Sequence, residues 1–217
     1  MDLHALLVQA WPVMLKGTGY TVLFAGASMI LGLPLAGLIT LVRVLRVPGL
    51  QTATALFVSA MRGTPLLVQV FIVYYGLPSI GIEFSPMTAG ILALTLNVSA
   101  YMSETLRGSI MSVTQGQWLA GTSLGLTRRQ TLRYVIAPQA LRAAVPSLSN
   151  SLISLIKDTS LVSVIAVTEL MLATKELIST TFQPFPLYMA AAGIYWALSM
   201  GFEHLQRRME SRVAFPH

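Results

Sequence analysis

The sequence predicts an all-α integral membrane protein of about five spans, and three observations carry that prediction. Of 217 residues, 54% are apolar and only 10% are charged, against roughly 25% charged in a soluble domain. Mean hydropathy is +0.70. The few charges bracket uncharged stretches long enough to cross about 30 Å of hydrocarbon as a helix, which takes about 20 residues. This composition excludes disorder, a nucleic-acid module and a typical soluble enzyme, and the length leaves no room for a large soluble domain. No alternation of the outer-membrane-barrel kind is visible. There are no cysteines, which excludes disulfides and thiolate-held metals.

The elements follow from charge to charge. Gly17 to Val42 holds no charged residue, which predicts a first span over 17–42. The preceding MDLHALLVQAWP carries Asp2 and no early Lys or Arg, so it lacks the basic start of a cleaved signal. Residues 1–16 are expected as an N-terminal periplasmic segment before a retained anchor. A second span is predicted over 53–77, with Arg62 snorkelling near one end and Gly63-Thr64-Pro65 acting as a helix start or bend. A third is predicted over 87–109, where Glu104 and Arg107 form an exposed pair three residues apart. The fourth, 139–165, contains Pro146, which should kink it. The fifth is 186–206. The transmembrane domain is thus expected over 17–208, with residues 209–217 as a cytoplasmic tail.

Orientation comes from the arginines. Arg43, Arg46, Arg107, Arg128, Arg129, Arg133, Arg142, Arg207, Arg208 and Arg212 are ten of the fourteen basic residues, and all fall on one side. The opposite loops carry Glu83, Glu169, Lys175 and Glu176. The positive-inside rule places the arginine side in the cytoplasm, the N-terminus outside and the C-terminus inside. Lys16 is the one dissenting charge.

Two features carry candidate function. The first is the long basic connection 110–138, SIMSVTQGQWLAGTSLGLTRRQTLRYVIAP. Its stretch Trp118 to Tyr134 lacks Pro and predicts one or two short helices, with Arg129 and Arg133 sharing a face and Pro138 in the first turn of span four. It reads either as a surface helix against lipid headgroups or as a docking helix for a soluble partner. The second is Lys157-Asp158, costly inside a membrane unless partners or water compensate. Neighbouring residues on a helix point about 100° apart, so each needs a partner elsewhere. They read as lining a solute route or as fixing helix packing. Asn150, Ser154 and Asp158 form one stripe at i, i+4 and i+8, beside Ser151 and Thr159, and a lipid-facing stripe of this kind is unfavourable. Gln69 and Asn97 are lone polar residues that read as interhelical hydrogen-bonding groups or as solute contacts.

The connection resembles the EAA loop of ATP-binding-cassette (ABC) importer permeases. Leu119-Ala120-Gly121 stands at the E-A-A slots, followed by Gly125 and by Ile136-Ala137-Pro138. Leu119 occupies the usual Glu slot and Gly121 an Ala slot, so a salt bridge normally made by that Glu is absent. RGTPLLVQVFIVYYGLP (Arg62–Pro78), LNVSAYMSETLRGSI (Leu96–Ile110) and PSLSNSLISLIKDTSLVSVI (Pro146–Ile165) look like the second, third and fourth spans of the polar-amino-acid branch. Together they cover nearly the whole chain in order. YYGLPSIGIEFSP, ISLIKDTSL and FQPFPLYMAAAGIYW look most like cystine-type permeases.

The resemblance implies a five-helix type I importer fold with a cytoplasmic coupling helix, in a bacterial inner membrane. It implies ATPase coupling at Ala120, Gly121, Gly125, Arg128, Arg129 and Pro138. It implies a substrate pathway at Lys157, Asp158, Thr159, Asn150, Ser154, Gln69 and Asn97. The expected partners are a cytoplasmic ABC ATPase dimer, a periplasmic solute-binding protein, membrane lipids, and a second permease copy (a homodimer first) or a related subunit. No nucleic acid is expected. Cystine is the first substrate, with glutamine, histidine or arginine as alternatives; Lys157 beside Asp158 favours a solute without net charge. The chain has no G-x-x-x-x-G-K-[ST] phosphate loop and is expected to hold no cofactor, ATP and Mg belonging to the partner ATPase. His4, His204 and His217 form no metal constellation. An ion-gradient-driven secondary transporter is the rival reading, against which five spans without an inverted repeat weigh. An intramembrane enzyme lacks a visible dyad, carboxylate pair or metal cluster.

Overall fold

Residues 3–213 are described by the structure, a computed structural model. Met1, Asp2 and residues 214–217 lie outside the described residues, as do the side chains of 209–213. Parts of the expected N-terminal segment and of the C-terminal tail, with Arg212 and His217, fall there.

The first helix, α1, runs from Leu3 to Val44. At 1.5 Å per residue its 42 residues reach about 63 Å, twice the hydrocarbon thickness. The separate segment expected over residues 1–16 is therefore, from Leu3 onward, the start of this same helix. Charge spacing marks where an uncharged stretch begins, and the single charge of Lys16 does not stop a Leu- and Ala-rich helix. Leu6, Ala10 and Met14, spaced four apart, are buried in one cluster with Leu170, Leu187 and Ala191.

The single span expected over 53–77 is a bent pair. α2 (Leu50–Gly63) and α3 (Leu66–Phe71, extended by a π turn at Ile72–Gly76 and a 3-10 turn at Leu77–Ile80) meet at 111°. Pro65 supplies the reason. Thr64 before it is extended, at φ −119° and ψ 147°, as the ring of a following proline requires. Pro65 itself is extended at ψ 137°.

Then α4 (Pro86–Ser112) follows, capped by the Ser85 hydroxyl, which accepts from the Thr88 amide at 3.2 Å. After α5 (Gln115–Ser123) come α6 (Arg128–Thr131), a π turn at Leu132–Ile136, α7 (Ala137–Asp158) and a 3-10 stretch to Ile165. These last four form a nearly unbroken rod from Arg128 to Ile165. Pro138 lies in the first turn of α7, behind the π turn, so the helical path precedes it. α8 (Leu170–Thr181) was not foreseen, and α9 (Pro184–Val213) contains the expected fifth span.

By length and apolarity, α1 and α9 suffice to cross a membrane, and the bent α2–α3 pair makes a third. With 27 and 22 residues, α4 and α7 have the length. Their polar residues lower the apolarity, among them Ser99 and Ser103, which are buried within the protein. The main core lies between α1, α4 and the α7 rod, around Phe24, Leu94, Met102, Ile156 and Val162. α1 and α4 approach closely at Gly32, where a Cβ would lie 2.7 Å from Val98 Cγ1. Outside that core large apolar side chains such as Ile30, Leu38, Leu56, Ile80 and Trp196 are exposed, the distribution expected of helices facing hydrocarbon. No strand occurs among the described residues.

Candidate functional site

A cavity of about 430 Å³ opens between α7 and the facing helices, within the usual range for small-molecule sites. Ser147, Asn150, Ser151, Ser154 and Asp158 form its α7 wall. Helical spacing puts Ser147, Asn150, Ser154 and Asp158 there, each three or four residues after the last and hence on one face, with Ser151 beside Asn150. The other wall comes from the α2–α3 bend, through Thr64, Pro65 and Leu66, and from α4, through Asn97, Val98 and Tyr101. Asp158 is the one charged group lining the cavity among the described residues.

The sequence-predicted residues divide. Asn97, Asn150, Ser154 and Asp158 meet in the cavity. Lys157 is exposed and does not line it, being one residue round the helix from Asp158. Thr159 is fully buried and donates to the Ile156 carbonyl at 2.7 Å. Gln69 is also buried, and its amide spans the bend. It donates to the Met61 carbonyl at 2.8 Å, the Thr64 carbonyl at 3.1 Å and the Thr64 hydroxyl at 2.9 Å. Those carbonyls lose helical partners where the chain turns, and Gln69 replaces them. Asn97 in turn donates to Gln69 Oε1 at 3.0 Å, so one cavity-wall residue is held by the bend. Thr64, Tyr101 and Ser147 were missed as lining groups. Spacing could have found two of them: Tyr101 is one helical turn beyond Asn97, and Ser147 lies three before Asn150.

Tyr101 leads to a charged cluster. The Arg62 guanidinium sits 5.5 Å from its ring centroid. Arg62 is 3.7 Å from Glu104, Arg107 is 2.7 Å from it, and Arg43 also pairs with it. The exposed Glu104–Arg107 pair expected from spacing is thus a half-buried hub joining α1, α2 and α4. Glu169, expected in a loop, is fully buried. Its carboxylate caps α8 by accepting from the Met171 and Leu172 amides, both at 2.9 Å. It also accepts from the Tyr195 hydroxyl at 2.7 Å. The readable signal was an acidic residue just before the apolar run LMLA, a helix start.

The connection between α4 and α7 folds as two helices. α5 ends in a Schellman motif: the Gly125 amide donates to Thr122 O at 2.9 Å and the Leu126 amide to Gly121 O at 3.1 Å. Gly125 has φ +78°, which favours glycine. Thr127 and Gln130 form a capping box at the start of α6. Gly121 packs against Thr131 so closely that a Cβ would lie 2.5 Å from Thr131 Cγ2. The Ala slot of the EAA pattern is therefore filled here by a methyl from the following helix. Leu119 and Leu124 are 66% and 80% exposed, and Ala120 and Arg129 are exposed beside them. Arg128 sits 5.8 Å from the Trp118 ring centroid.

Comparison with known proteins agrees with this geometry. A family profile described as binding-protein-dependent transport system inner membrane component matches residues 28–215. The L-cystine transport system permease protein TcyB of Bacillus subtilis is 43% identical over 209 residues, covering 94% of this chain and 89% of that protein. The arginine ABC transporter permease protein ArtQ of Haemophilus influenzae is 37% identical over 195 residues, covering 87% of each. A crystal structure of an amino acid ABC transporter with histidines superposes with a TM-score of 0.92 at 32% identity, covering 98% of this chain and 99% of the other. An all-helical bundle with a two-helix connection ahead of α7, matched over most of its length by these proteins, is a transport subunit and not an ATPase: the chain belongs to the binding-protein-dependent transport system inner membrane components, as an amino-acid ABC importer permease.

Proposed function

We propose that the cavity between α4, α7 and the α2–α3 bend is the solute route, and that Asp158 holds the ammonium group of the transported amino acid. The observation that carries this reading is a carboxylate in a polar cavity with no lining cation. A charge-assisted hydrogen bond from an ammonium is the strong interaction such a site offers. Asn97, Asn150 and Ser154 supply neutral donors and acceptors for the rest of the solute.

L-cystine is the substrate we place first, on the resemblance to cystine-type permeases and the 43% identity to a relative of that name. A basic amino acid is the second reading. It is favoured because Lys157, which had matched Asp158 in the sequence, does not line the cavity.

In this reading α5 and α6 dock on a cytoplasmic ABC ATPase dimer that binds ATP and Mg. Ala120, Gly121, Gly125, Arg128 and Arg129 form the docking segment, and Pro138 joins it to α7. The exposed Leu119 and Leu124 give the contact an apolar character in place of the salt bridge lost with the EAA Glu. A second copy of the chain completes the pathway, and a periplasmic solute-binding protein delivers the solute. The chain lies in the inner membrane with its N-terminus outside and its C-terminus inside. ATP binding closes the ATPases and turns the α6–α7 rod; hydrolysis resets it. The test is uptake into proteoliposomes holding the permease and its ATPase, with a binding protein outside and ATP inside. ATP-dependent uptake of labelled cystine that resists excess arginine, glutamine and histidine supports the first reading. Inhibition by arginine moves the substrate to the second. Uptake that follows a proton or sodium gradient without ATP overturns both.

A further inference from the structure

We propose that the arginine pocket where α1 and α4 end binds the headgroup of an anionic phospholipid, with one acyl chain in the apolar slot beside it. The pocket has a volume of about 380 Å³ and is lined by Arg43, Arg46, Arg107 and Arg128, with Trp118 at its side. Among the described residues the one carboxylate paired with these arginines is Glu104, held by Arg43 and Arg107 and approached by Arg62. Between Glu104 and Asp158 the sequence contains no acidic residue. The pocket therefore carries a large positive excess, and a phosphate diester answers it.

One further observation selects a lipid over a free anion, and a second marks Arg46 as placed for an anion. The first is continuity. A second, wholly apolar slot of about 230 Å³ lies between α1, α4 and α7, lined by Gly37, Leu41, Leu106, Ala140 and Leu141. Ile110 lines both the slot and the arginine pocket. A charged head joined to a hydrocarbon tail is what such a pair of spaces accepts. The second is Arg46. α1 ends in a Schellman motif, with Arg46 N donating to Arg43 O at 3.3 Å and Val47 N to Val42 O at 3.1 Å. Arg46 occupies the left-handed position at φ +54°, where glycine is the usual residue. A strained position held by an arginine points to a use for its guanidinium. Because the lining runs from Arg43 to Trp118 and Arg128, a bound headgroup ties the end of α1 to the docking segment.

The inference takes from the transport reading only that this end of the bundle meets the cytoplasmic leaflet. Its test reads lipid occupancy in detergent, so it fails or succeeds independently of uptake. The full-length permease is titrated with dioleoylphosphatidylglycerol, dioleoylphosphatidylcholine and glycerol 3-phosphate, and bound species are counted by native mass spectrometry. Phosphatidylglycerol is expected to bind at least fivefold more tightly than phosphatidylcholine, and to be lost as salt is raised. Arg46→Gly removes one guanidinium and relieves the backbone, so it should keep or raise thermal stability while weakening phosphatidylglycerol about fivefold. Gly37→Leu fills the slot, where a Cβ meets nothing within 4 Å, and should weaken the diacyl lipid alone. Equal binding of the two lipids overturns the proposal. So does glycerol 3-phosphate binding as tightly as phosphatidylglycerol with Gly37→Leu inert, which would make the pocket a free-anion site.

Discussion

Asp158 is where the proposed chemistry is most exposed to a single substitution. Asp158→Asn keeps the shape of the cavity wall and removes its one charge. Uptake should fall tenfold or more while assembly with the ATPase is unchanged, measured by transport and by co-purification of the complex. Gly121 tests a different claim, that the EAA departure is a packing exchange. Gly121→Ala drives a methyl into Thr131 and should destabilise the docking segment by about 1–3 kcal/mol. Adding Thr131→Ala clears the methyl, so the double variant should recover most of that loss in thermal unfolding. A sum of two independent losses would reject the exchange. At this scale the sequence was legible where spacing decides. Asn150, Ser154 and Asp158 share a helix face by arithmetic, and they line the cavity together. Lys157 and Gln69 were not separable from them, because composition says that a polar residue needs a partner and not which partner it takes. Gln69 finds carbonyls created by a bend 111° deep.

Among the elements, α8 is the one the sequence did not announce, and Glu169 explains both its start and its anchorage. The carboxylate satisfies two free amides of α8 and takes the Tyr195 hydroxyl of α9. Glu169→Ala removes the cap and takes one acceptor from the buried Tyr195 hydroxyl, a loss of about 2–4 kcal/mol. Glu169→Gln keeps one acceptor oxygen, enough for one of the two amides, and should lose less than Glu169→Ala; chemical unfolding in detergent with α8 reported by proteolysis separates the two. The bounds of α4 and the existence of two short helices before α7 could be read from caps and charges. Those signals are local. The bend at Thr64-Pro65 was foreseen as an option, but its depth depends on what Gln69 and Asn97 do across it, which is tertiary. The start of α1 was misplaced because a charge-free run measures affinity for hydrocarbon, whereas a helix continues as long as its residues allow.

Over the molecule as a whole, Arg43, Arg46, Arg62, Arg107 and Arg128 gather at one end, around the Glu104 hub and the pocket beside it. That polarity is the physical basis for the proposed orientation. A chain without cysteines permits a clean check. Ser123→Cys, at the end of α5, should react with a membrane-impermeant maleimide only after the cytoplasmic side is opened. Ser79→Cys, beyond α3, should react from outside in intact spheroplasts. The reverse pattern would invert the orientation and with it the docking side. The fold class itself was the easiest thing to read, since composition alone requires a membrane solvent, and the order of span-like motifs supplied the rest.

The contact between the first half of α1 and α8 has a consequence for synthesis. A Cβ on Gly17 would lie 2.9 Å from Leu170 Cα and 3.0 Å from Ala173 Cβ. The first half of α1 thus packs against residues made about 150 positions later. At about 5–20 residues per second, translation leaves that half of the helix without its protein neighbours for roughly 8 to 30 s. During that interval it is solvated by lipid and open to quality-control proteases. Gly17→Leu blocks the late contact as well as straining it once made, so pulse-chase labelling should show faster loss of newly made chains than of wild-type ones, and the chains that mature should unfold at lower temperature.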